Sequence, residues 1–464
     1  MRSIIGLVLL IAALFTPVFG AIHAQENLTQ SQARGYLTTP GELHSIQQKA
    51  ARGLEPYRSA VANVLAWADE QWNYDLETEV SCPNANKPQW IENEHGVAIL
   101  YAKALAYHLT GEITYADEVK TILQTIMTEI ASIPLDAPQC ELNFAWGVPE
   151  LVAAADLIED YWYDQTCTGP LETGYGDNAI GEGNCKDLFQ NWLVKNPYFV
   201  ISLTAEEAQS NWGAAATNTL AYIADYLWDR PEVTLIHRTE TRLGDGEPLA
   251  FTPAEAYNHA NQLALDRMNG YRVEYRSSSS CDELGGKQQS DAFPPVKSQI
   301  TPAGIIPEDA RRDESCNVPA YNGKYQNYPQ VHVGNNVQQC ELMLRRGDTS
   351  CYNNIDLSDI AAFTFTDRDG ETQTTHLYPG RGSLEQAINA IIVASRTEWR
   401  HDAALEVAYR YYYTHHTQDD FLLWFQELNR PAQCDQDICF GTLTHGFAPG
   451  EALAAPPVVP PPSD

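Results

Sequence analysis

Basic residues are scarce in this chain. Its 464 residues include 29 Lys and Arg against 61 Asp and Glu, which gives a formal net charge of -32. A chain this acidic repels phosphate backbones and anionic lipid surfaces, so we expect neither nucleic acid nor a membrane as its partner. Any anionic substrate would need a locally positive cleft.

The sequence also lacks the short motifs that identify several large enzyme classes. It contains no G-x-S-x-G nucleophile elbow, no H-E-x-x-H zinc motif and no phosphate-binding loop of the Walker type. Asp and Glu are so numerous that their spacing does not single out a carboxylate pair of the glycosidase kind. Function must therefore be sought in other combinations of residues.

Long apolar runs are missing except at the N-terminus. Residues 1–24, MRSIIGLVLLIAALFTPVFGAIHA, have one Arg, an apolar stretch from Ile4 to Phe15 and then small residues. The apolar stretch is short for a membrane span, so the pattern predicts a signal peptide that is cut near Ala24. We therefore expect a secreted or periplasmic protein.

Ten cysteines follow this segment, at spacings that do not match a zinc site. An even number in an exported chain predicts disulfides, whose pairing the sequence leaves open. Two long polar segments, residues 165–185 and 276–330, interrupt the helical pattern, and the second contains Cys281 and Cys316. Residues 455–464 are predicted to form a Pro-rich, extended tail.

Helical periodicity dominates the rest of the chain. Hydrophobic residues make up 44% of the sequence, which is enough for a substantial core. Apolar residues recur at helical spacing, and several of the periodic segments are joined by short loops. The predicted helices are 95–111, 115–133, 148–164, 204–229, 383–399 and 403–416. This pattern predicts an all-α fold of stacked helical hairpins.

One candidate site lies in QSNWGAAATNTLAYIADYL. It is near the start of the helix predicted from Thr204, where Glu207 has the spacing of a capping box. A helix start offers free backbone N–H groups and a positive dipole end, which suits a carboxylate ligand. Asn211 would add side-chain donors and acceptors. The alternative is that Asn211 only caps the helix and Trp212 packs in the core.

A second candidate is YPQVHVGNNVQQCELMLRRGD, residues 328–348. Tyr328 and His332 are predicted to flank a turn before a helix that runs from about residue 335 to 346. Tyrosine can shuttle a proton when a nearby cation lowers its pKa. The alternative is an ordinary loop tyrosine and a surface histidine.

The upstream stretch PEDARRD contains a possible cation of this kind. Arg311 and Arg312 lie in it, and either could lower the pKa of Tyr328. Other histidines have no spacing that selects a role: His237, His259, His376 and His401.

Four segments, in this order, resemble the alginate lyase-type family of polysaccharide lyases. They are GYLTTPGELHSIQQKAARGLEPYRSAV, HGVAILYAKALAYHLTGEITYADEVKTIL, QSNWGAAATNTLAYIADYLWDRPEV, and PEDARRD with residues 328–348. The resemblance implies an incomplete (α/α) toroid of helical hairpins with long disulfide-stapled loops, spanning residues 25–454. It also implies β-elimination on a uronic-acid polymer such as alginate or glucuronan, with no metal and no other cofactor.

The resemblance further assigns roles to individual residues. Asn211 corresponds to the Asn that neutralises the uronate carboxylate, Tyr328 to the catalytic Tyr, and Arg312 to the Arg that precedes it. His332 is expected to act in proton transfer or in carboxylate binding. Further residues are expected to contact the sugar: Arg311, Trp212, Asn143 and Trp146. For Trp146, a position in the core is the alternative.

Two features depart from the family pattern. Residues 210–213 read Ser-Asn-Trp-Gly where better-known members have Asn-Asn-His, so the motif histidine is missing. The interval between Arg312 and Tyr328 is longer, which leaves Tyr321 and Tyr325 as alternatives to Tyr328. These differences predict a divergent lyase. The alternatives are a glycoside hydrolase on the same scaffold and a non-catalytic glycan-binding protein.

Overall fold

The three-dimensional structure is a computed structural model. It describes residues 33–74, 76, 91, 95–130, 132–133, 135, 138–175, 179–208, 210–239, 247–268, 309, 328–353, 361–366, 372–377, 383–395, 399–415, 424, 427–432, 434 and 437–463. The predicted signal peptide and most of segment 276–330 lie outside these residues, as do Arg311, Arg312, Tyr321 and Tyr325.

Helices make up most of the described chain. Their bounds are α1 Pro40–Ala51, α2 Tyr57–Ala68, α3 His95–Thr110, α4 Ile113–Glu129, α5 Pro138–Leu157, α6 Glu159–Trp162, α7 Cys185–Leu193, α8 Phe199–Glu207, α9 Asn211–Tyr226, α10 Pro253–Met268, α11 Tyr328–Arg345, α12 Ser350–Asn353, α13 Leu384–Ser395, α14 Asp402–His415 and α15 Gly441–His445. A π-helical stretch, Val194–Tyr198, joins α7 to α8. In the part of the chain described here, no helix is both long and apolar enough to cross a bilayer.

The inner helices form a circle of neighbours. In chain order α3, α5, α9, α11, α14 and α15 each pack against the next, and α15 contacts α2, which in turn packs on α3. Further helices pack on members of this ring, with α4 on α3, α8 and α10 on α9, and α13 on α11. The predicted all-α toroid of helical hairpins is confirmed by this arrangement.

The described residues also form three short antiparallel β-hairpins. The strand pairs are β1 Thr166–Pro170 with β2 Ile180–Asn184, β3 Leu235–His237 with β4 Leu249–Phe251, and β5 Ala361–Thr366 with β6 Thr372–Leu377. The first pair lies within residues 165–185, one of the two long polar segments that interrupt the predicted helices.

Disulfides close several of the connections, as predicted. The bonds join Cys167 to Cys185, Cys340 to Cys351, and Cys434 to Cys439. Cys140 is disulfide-bonded as well. Such bonds fit a protein of an oxidising compartment, outside the cell or in the periplasm.

The prediction of one helix over residues 204–229 is wrong, because the helix is interrupted just before Asn211. Helix α8 ends at Glu207, and Ala208 and Ser210 adopt extended backbone conformations. The Ser210 side chain then caps α9 by accepting a hydrogen bond from the Trp212 N–H at 3.4 Å. Thr204 caps nothing, since it lies inside α8 and its hydroxyl donates to the Glu141 carboxylate of α5.

Helix α11 begins earlier than predicted and ends where predicted. It starts at Tyr328, because Pro329 is tolerated in the first turn of a helix. It stops at Gly347, whose φ of 89° is easily adopted only by glycine. The Asp348 N–H donates to the Met343 carbonyl at 2.9 Å, and the Gly347 N–H to the Leu344 carbonyl at 2.9 Å. These two bonds form a Schellman motif.

Helices α9 and α11 run parallel and are joined by buried polar side chains. Near the middle of both helices, Asn218 donates to the side-chain oxygen of Gln338. At their C-terminal ends, Asp225 accepts from Arg346 at 2.7 and 2.8 Å. Asn211, Asn218 and Asp225 recur at seven-residue spacing, which places them on one face of α9. We call these three residues of α9 and their partners on the α11 side the polar ladder.

The Asp225 end of the polar ladder also contacts Arg34, near the start of the described residues, and through it Pro460, near their end. Arg34 donates to the Asp225 carboxylate at 3.0 and 3.2 Å and to the Pro460 carbonyl at 2.8 Å. Burial alone would raise the pKa of Asp225, but Arg346 and Arg34 lower it to about 2. Asp225 is therefore a buried carboxylate whose charge is matched by two guanidinium groups.

We expect Asp225→Ala to lower the free energy of unfolding by about 3–5 kcal/mol, because both arginines would remain buried without their carboxylate. Because the folded pKa is depressed, this contribution should be complete above about pH 4 and be lost as the pH falls toward that of the folded carboxyl. Urea denaturation at several pH values measures both effects.

The control is Asp117→Ala, which removes a carboxylate that is 60% exposed and pairs with Lys120 at 3.3 Å. Its loss should cost less than about 1 kcal/mol. A comparable cost for the two variants would contradict the importance assigned to the buried cluster.

Candidate active site

A single buried carboxylate brings two of the predicted site residues together. The Asn211 backbone N–H donates to Asp309 Oδ1 at 3.3 Å, and His332 Nδ1 lies 2.9 Å from Asp309 Oδ2. Asp309 is 0% exposed, Asn211 1% and His332 2%. A carboxylate only accepts hydrogen bonds, so Nδ1 carries a hydrogen and Nε2 is the ring nitrogen that can meet a ligand. This is the N-terminal end of the polar ladder.

Tyr328 lies on the same helix face as His332. Both residues belong to α11, four positions apart, so their side chains are neighbours along the helix surface. The prediction that they flank a turn before the helix is wrong, because Tyr328 is itself the first helical residue. Tyr328 is 40% exposed. The phenol is thus accessible to solvent beside a buried imidazole.

The start of α9 is already occupied by an internal anion. We expected its free N–H groups to face a ligand, but Asp309 accepts from the first of them. A carboxylate there is favourable, because it sits at the positive end of the helix dipole. The side chain of Asn211 remains for a ligand, and its Oδ1 is buried without a hydrogen-bond partner among the described residues.

Close backbone approach leaves no room for a side chain at position 213. A Cβ atom on Gly213 would lie 1.9 Å from the Ala208 carbonyl oxygen, so no side chain fits there. Arg267 of α10 stabilises the same turn, since its Nε donates to the Ala208 carbonyl at 3.1 Å and its Nη1 to the Thr217 hydroxyl at 3.0 Å. This packing holds the turn that leads into Asn211.

The residues predicted to contact sugar are more buried than expected. Asn143 is 0% exposed and its Oδ1 accepts from Gln139 at 2.9 Å, while Trp146 is 7% exposed and belongs to the hydrophobic core. Trp212 is half-buried and packs on that core. Arg311 and Arg312 lie outside the described residues.

A buried acid stands next to the polar ladder. Gln338 accepts from Asn218 and donates to Glu150 Oε1 at 2.8 Å. Burial raises the pKa of Glu150 well above its ordinary value, outweighing the hydrogen bond from Gln338. Glu150 therefore holds its proton at a pH where an exposed glutamate is ionised.

Asp309 is the main residue that sequence reasoning missed. It stands inside PEDARRD, which was singled out only for its arginines. The seven-residue recurrence of Asn211, Asn218 and Asp225 along one helix was the available signal for the polar ladder. The partners of these residues lie roughly a hundred positions away along the chain, so they could not be identified by local spacing.

No protein-family model matches the sequence, and no match to a curated protein is found. Among solved structures, an alginate lyase from Bacteroides ovatus is similar, with a TM-score of 0.49 and 13% sequence identity. The alignment covers 86% of this chain and 97% of that chain. A similarity of this size assigns no role to any residue here.

We expect Glu150→Gln to change the pH dependence of stability. The raised pKa means that the folded state binds more protons than the unfolded state above about pH 4.5, so wild-type stability falls as pH rises. Glutamine keeps the acceptor for Gln338 and cannot ionise. The variant should therefore gain stability relative to wild type between pH 5 and pH 8 in urea denaturation. An exposed control, Glu112→Gln, should follow the wild-type profile, and a Glu150→Gln profile parallel to wild type would contradict the assignment.

Proposed function

We propose that the protein is a secreted polysaccharide lyase that cleaves a uronic-acid-containing polymer, such as alginate or glucuronan, by β-elimination. The observation that carries this proposal is the Asp309 carboxylate, which joins Asn211 to His332 beside the accessible phenol of Tyr328. The order of the four family-like segments supports the same activity.

The first requirement of β-elimination is neutralisation of the uronate carboxylate. The proton on C5 is weakly acidic until the adjacent carboxylate is hydrogen-bonded or paired with a cation, because the enolate-like intermediate places negative charge on it. Under the proposal, the Asn211 amide donates to this carboxylate. Arg312, which follows Asp309 closely in the chain, supplies the positive charge.

Proton transfer is the second requirement. A base takes the C5 proton, the C4–O4 bond breaks, a C4=C5 double bond forms, and the departing O4 receives a proton. Tyr328 is assigned as the shuttle because it is the exposed titratable group of the cluster. His332, held at Nδ1 by Asp309, would present Nε2 to the transferred proton.

The burial of Asn211 and His332 limits how a substrate can reach them. Both side chains are almost inaccessible, whereas Tyr328 is exposed. Productive binding therefore needs a local opening that admits a carboxylate past the phenol. Trp212, half-buried next to Asn211, is the aromatic side chain best placed to contact the sugar ring during this step.

We expect the purified protein to generate unsaturated uronate ends from one polymer in a panel of alginate blocks, glucuronan and pectate, measured by absorbance of the new double bond. Tyr328→Phe should lower kcat by roughly 10²–10⁴-fold, since it removes the proton shuttle. Asn211→Ala should lower it by roughly 10²–10³-fold. Tyr163→Phe, at a tyrosine that is 44% exposed and lies beyond α6, is the matched control and should keep wild-type activity.

The same assay separates the competing activities. New reducing ends without absorbance would indicate a glycoside hydrolase and refute the elimination. Polymer binding without turnover would indicate a glycan-binding protein. Full activity of Tyr328→Phe would refute the assignment of Tyr328 and direct the search to Tyr321 and Tyr325.

Asp309→Asn tests whether this carboxylate positions His332. The Asn211 N–H and His332 Nδ1 both donate to Asp309, one to each carboxylate oxygen, and an asparagine has only one acceptor oxygen. We expect kcat to fall by about 100-fold or more with a smaller change in KM, and the pH–rate profile to shift because His332 is driven to its other tautomer. Asp117→Asn is the control. An unchanged pH profile with lower stability alone would mean that Asp309 is purely structural.

A further inference from the structure

A second cluster of chemically capable side chains lies outside the candidate active site. It consists of Glu206, His237 and His259, whose carboxylate and imidazole ligand atoms all lie within 4.8 Å of one another. These residues come from the last turn of α8, the end of β3 and the second turn of α10. The cluster therefore ties together three elements that are distant in sequence.

The two imidazoles converge on one oxygen atom. His237 Nε2 lies 3.0 Å from Glu206 Oε1, and His259 Nε2 lies 2.5 Å from the same atom. Their rings are perpendicular, with centroids 5.0 Å apart. Ligand atoms around a tetrahedral zinc ion are about 3.3 Å apart, given bond lengths of about 2.0 Å. Small side-chain rotations would bring the three ligand atoms, which now lie within 4.8 Å of one another, to that spacing.

The surroundings suit a metal ligand. Tyr198 Oη lies 3.3 Å from His237 Nδ1, so the hydroxyl can accept from Nδ1–H when Nε2 binds an ion. Such a partner fixes the tautomer and orientation of a ligating histidine. Phe251 packs on both rings. Its ring centroid lies 5.4 Å from that of His237 and 5.0 Å from that of His259. This aromatic wall limits the positions the imidazoles can adopt.

Solvent can reach one side of the cluster. The side chain of His237 is 0% exposed, that of Glu206 16% and that of His259 28%. A metal held by three protein groups would keep a further position for water, as two histidines and one carboxylate commonly do. The chain's strong negative charge also favours a cation.

We propose that Glu206, His237 and His259 form a binding site for a divalent transition-metal ion, with zinc as the best-matched ion. Two neutral imidazoles and a carboxylate are borderline ligands that zinc prefers over calcium or magnesium. The site links α8 to α10. Arg267 of α10 makes a second link, to the Ala208 carbonyl just after α8, and the two links together hold the turn that leads to Asn211. The inference does not depend on the proposed lyase activity.

The test uses the untagged full-length protein, stripped with a chelator and dialysed against zinc. We expect one zinc per chain by elemental analysis, and a melting temperature that rises with zinc concentration because the ion binds the folded state. Calcium and magnesium should not produce this rise. His259→Ala and Glu206→Gln should weaken zinc binding by at least about 100-fold, since loss of an outer-shell partner alone costs about 10–100-fold.

His95→Ala is the matched control. His95 also places Nε2 3.0 Å from a carboxylate oxygen, that of Glu70, but both side chains are 46% exposed and no second histidine joins them in the described chain. This variant should keep the full zinc stoichiometry and the same shift in melting temperature. Absence of zinc binding, or equal binding by His259→Ala and wild type, would overturn the proposal and leave the cluster as a hydrogen-bond network.

Discussion

The buried pairing of Asp225 with Arg346 is the constraint on which the rest of the site depends. It fixes the C-terminal ends of α9 and α11 relative to each other, and the Asn218–Gln338 contact holds their middles. Because the C-terminal ends and the middles of these parallel helices are fixed, the relative position of their N-terminal ends is fixed as well. Asn211 and His332 then meet across Asp309 at the N-terminal ends.

Holding two helices together by buried polar contacts carries a desolvation cost. Apolar side chains of similar volume would give comparable stability, but they would tolerate a shift of one helix along the other more readily. A ladder of polar contacts fails if the register changes, because each donor and acceptor would be left buried and unpaired. We infer that the ladder serves precision at the candidate active site, where a displacement of about 1 Å would separate the reacting groups.

The internal use of arginine bears on the charge of the molecule. Arg346 and Arg34 serve Asp225, while Arg345 donates to Glu341 at 2.7 Å and to Glu42 at 2.9 Å. These guanidinium groups neutralise buried carboxylates and present little positive charge to solvent. In a chain with a net charge of -32, an anionic polymer would have to be attracted by other cations. Under the proposed function, Arg312 provides this positive charge.

Local sequence was sufficient for the fold class and for several helix limits. The apolar periodicity of residues 95–111 led to a helix that the structure places at His95–Thr110, and the glycine at 347 marked the end of α11 correctly. These features depend on neighbours within one or two turns. The break before Asn211 was missed, because it depends on the tight approach of Gly213 to the Ala208 carbonyl and on Arg267 from another helix.

Composition and local spacing were enough to show that the chain is acidic and helical, that it has ten cysteines, and that Asn211, Tyr328 and His332 are candidates. Only the tertiary structure decided that Asp309 joins two of them, and that Glu206, His237 and His259 converge. The physical reason is that hydrogen bonding and metal ligation act over about 3 Å between side chains, whatever their separation along the chain. Spacing along the sequence reveals such groups only when they share one helix or one turn.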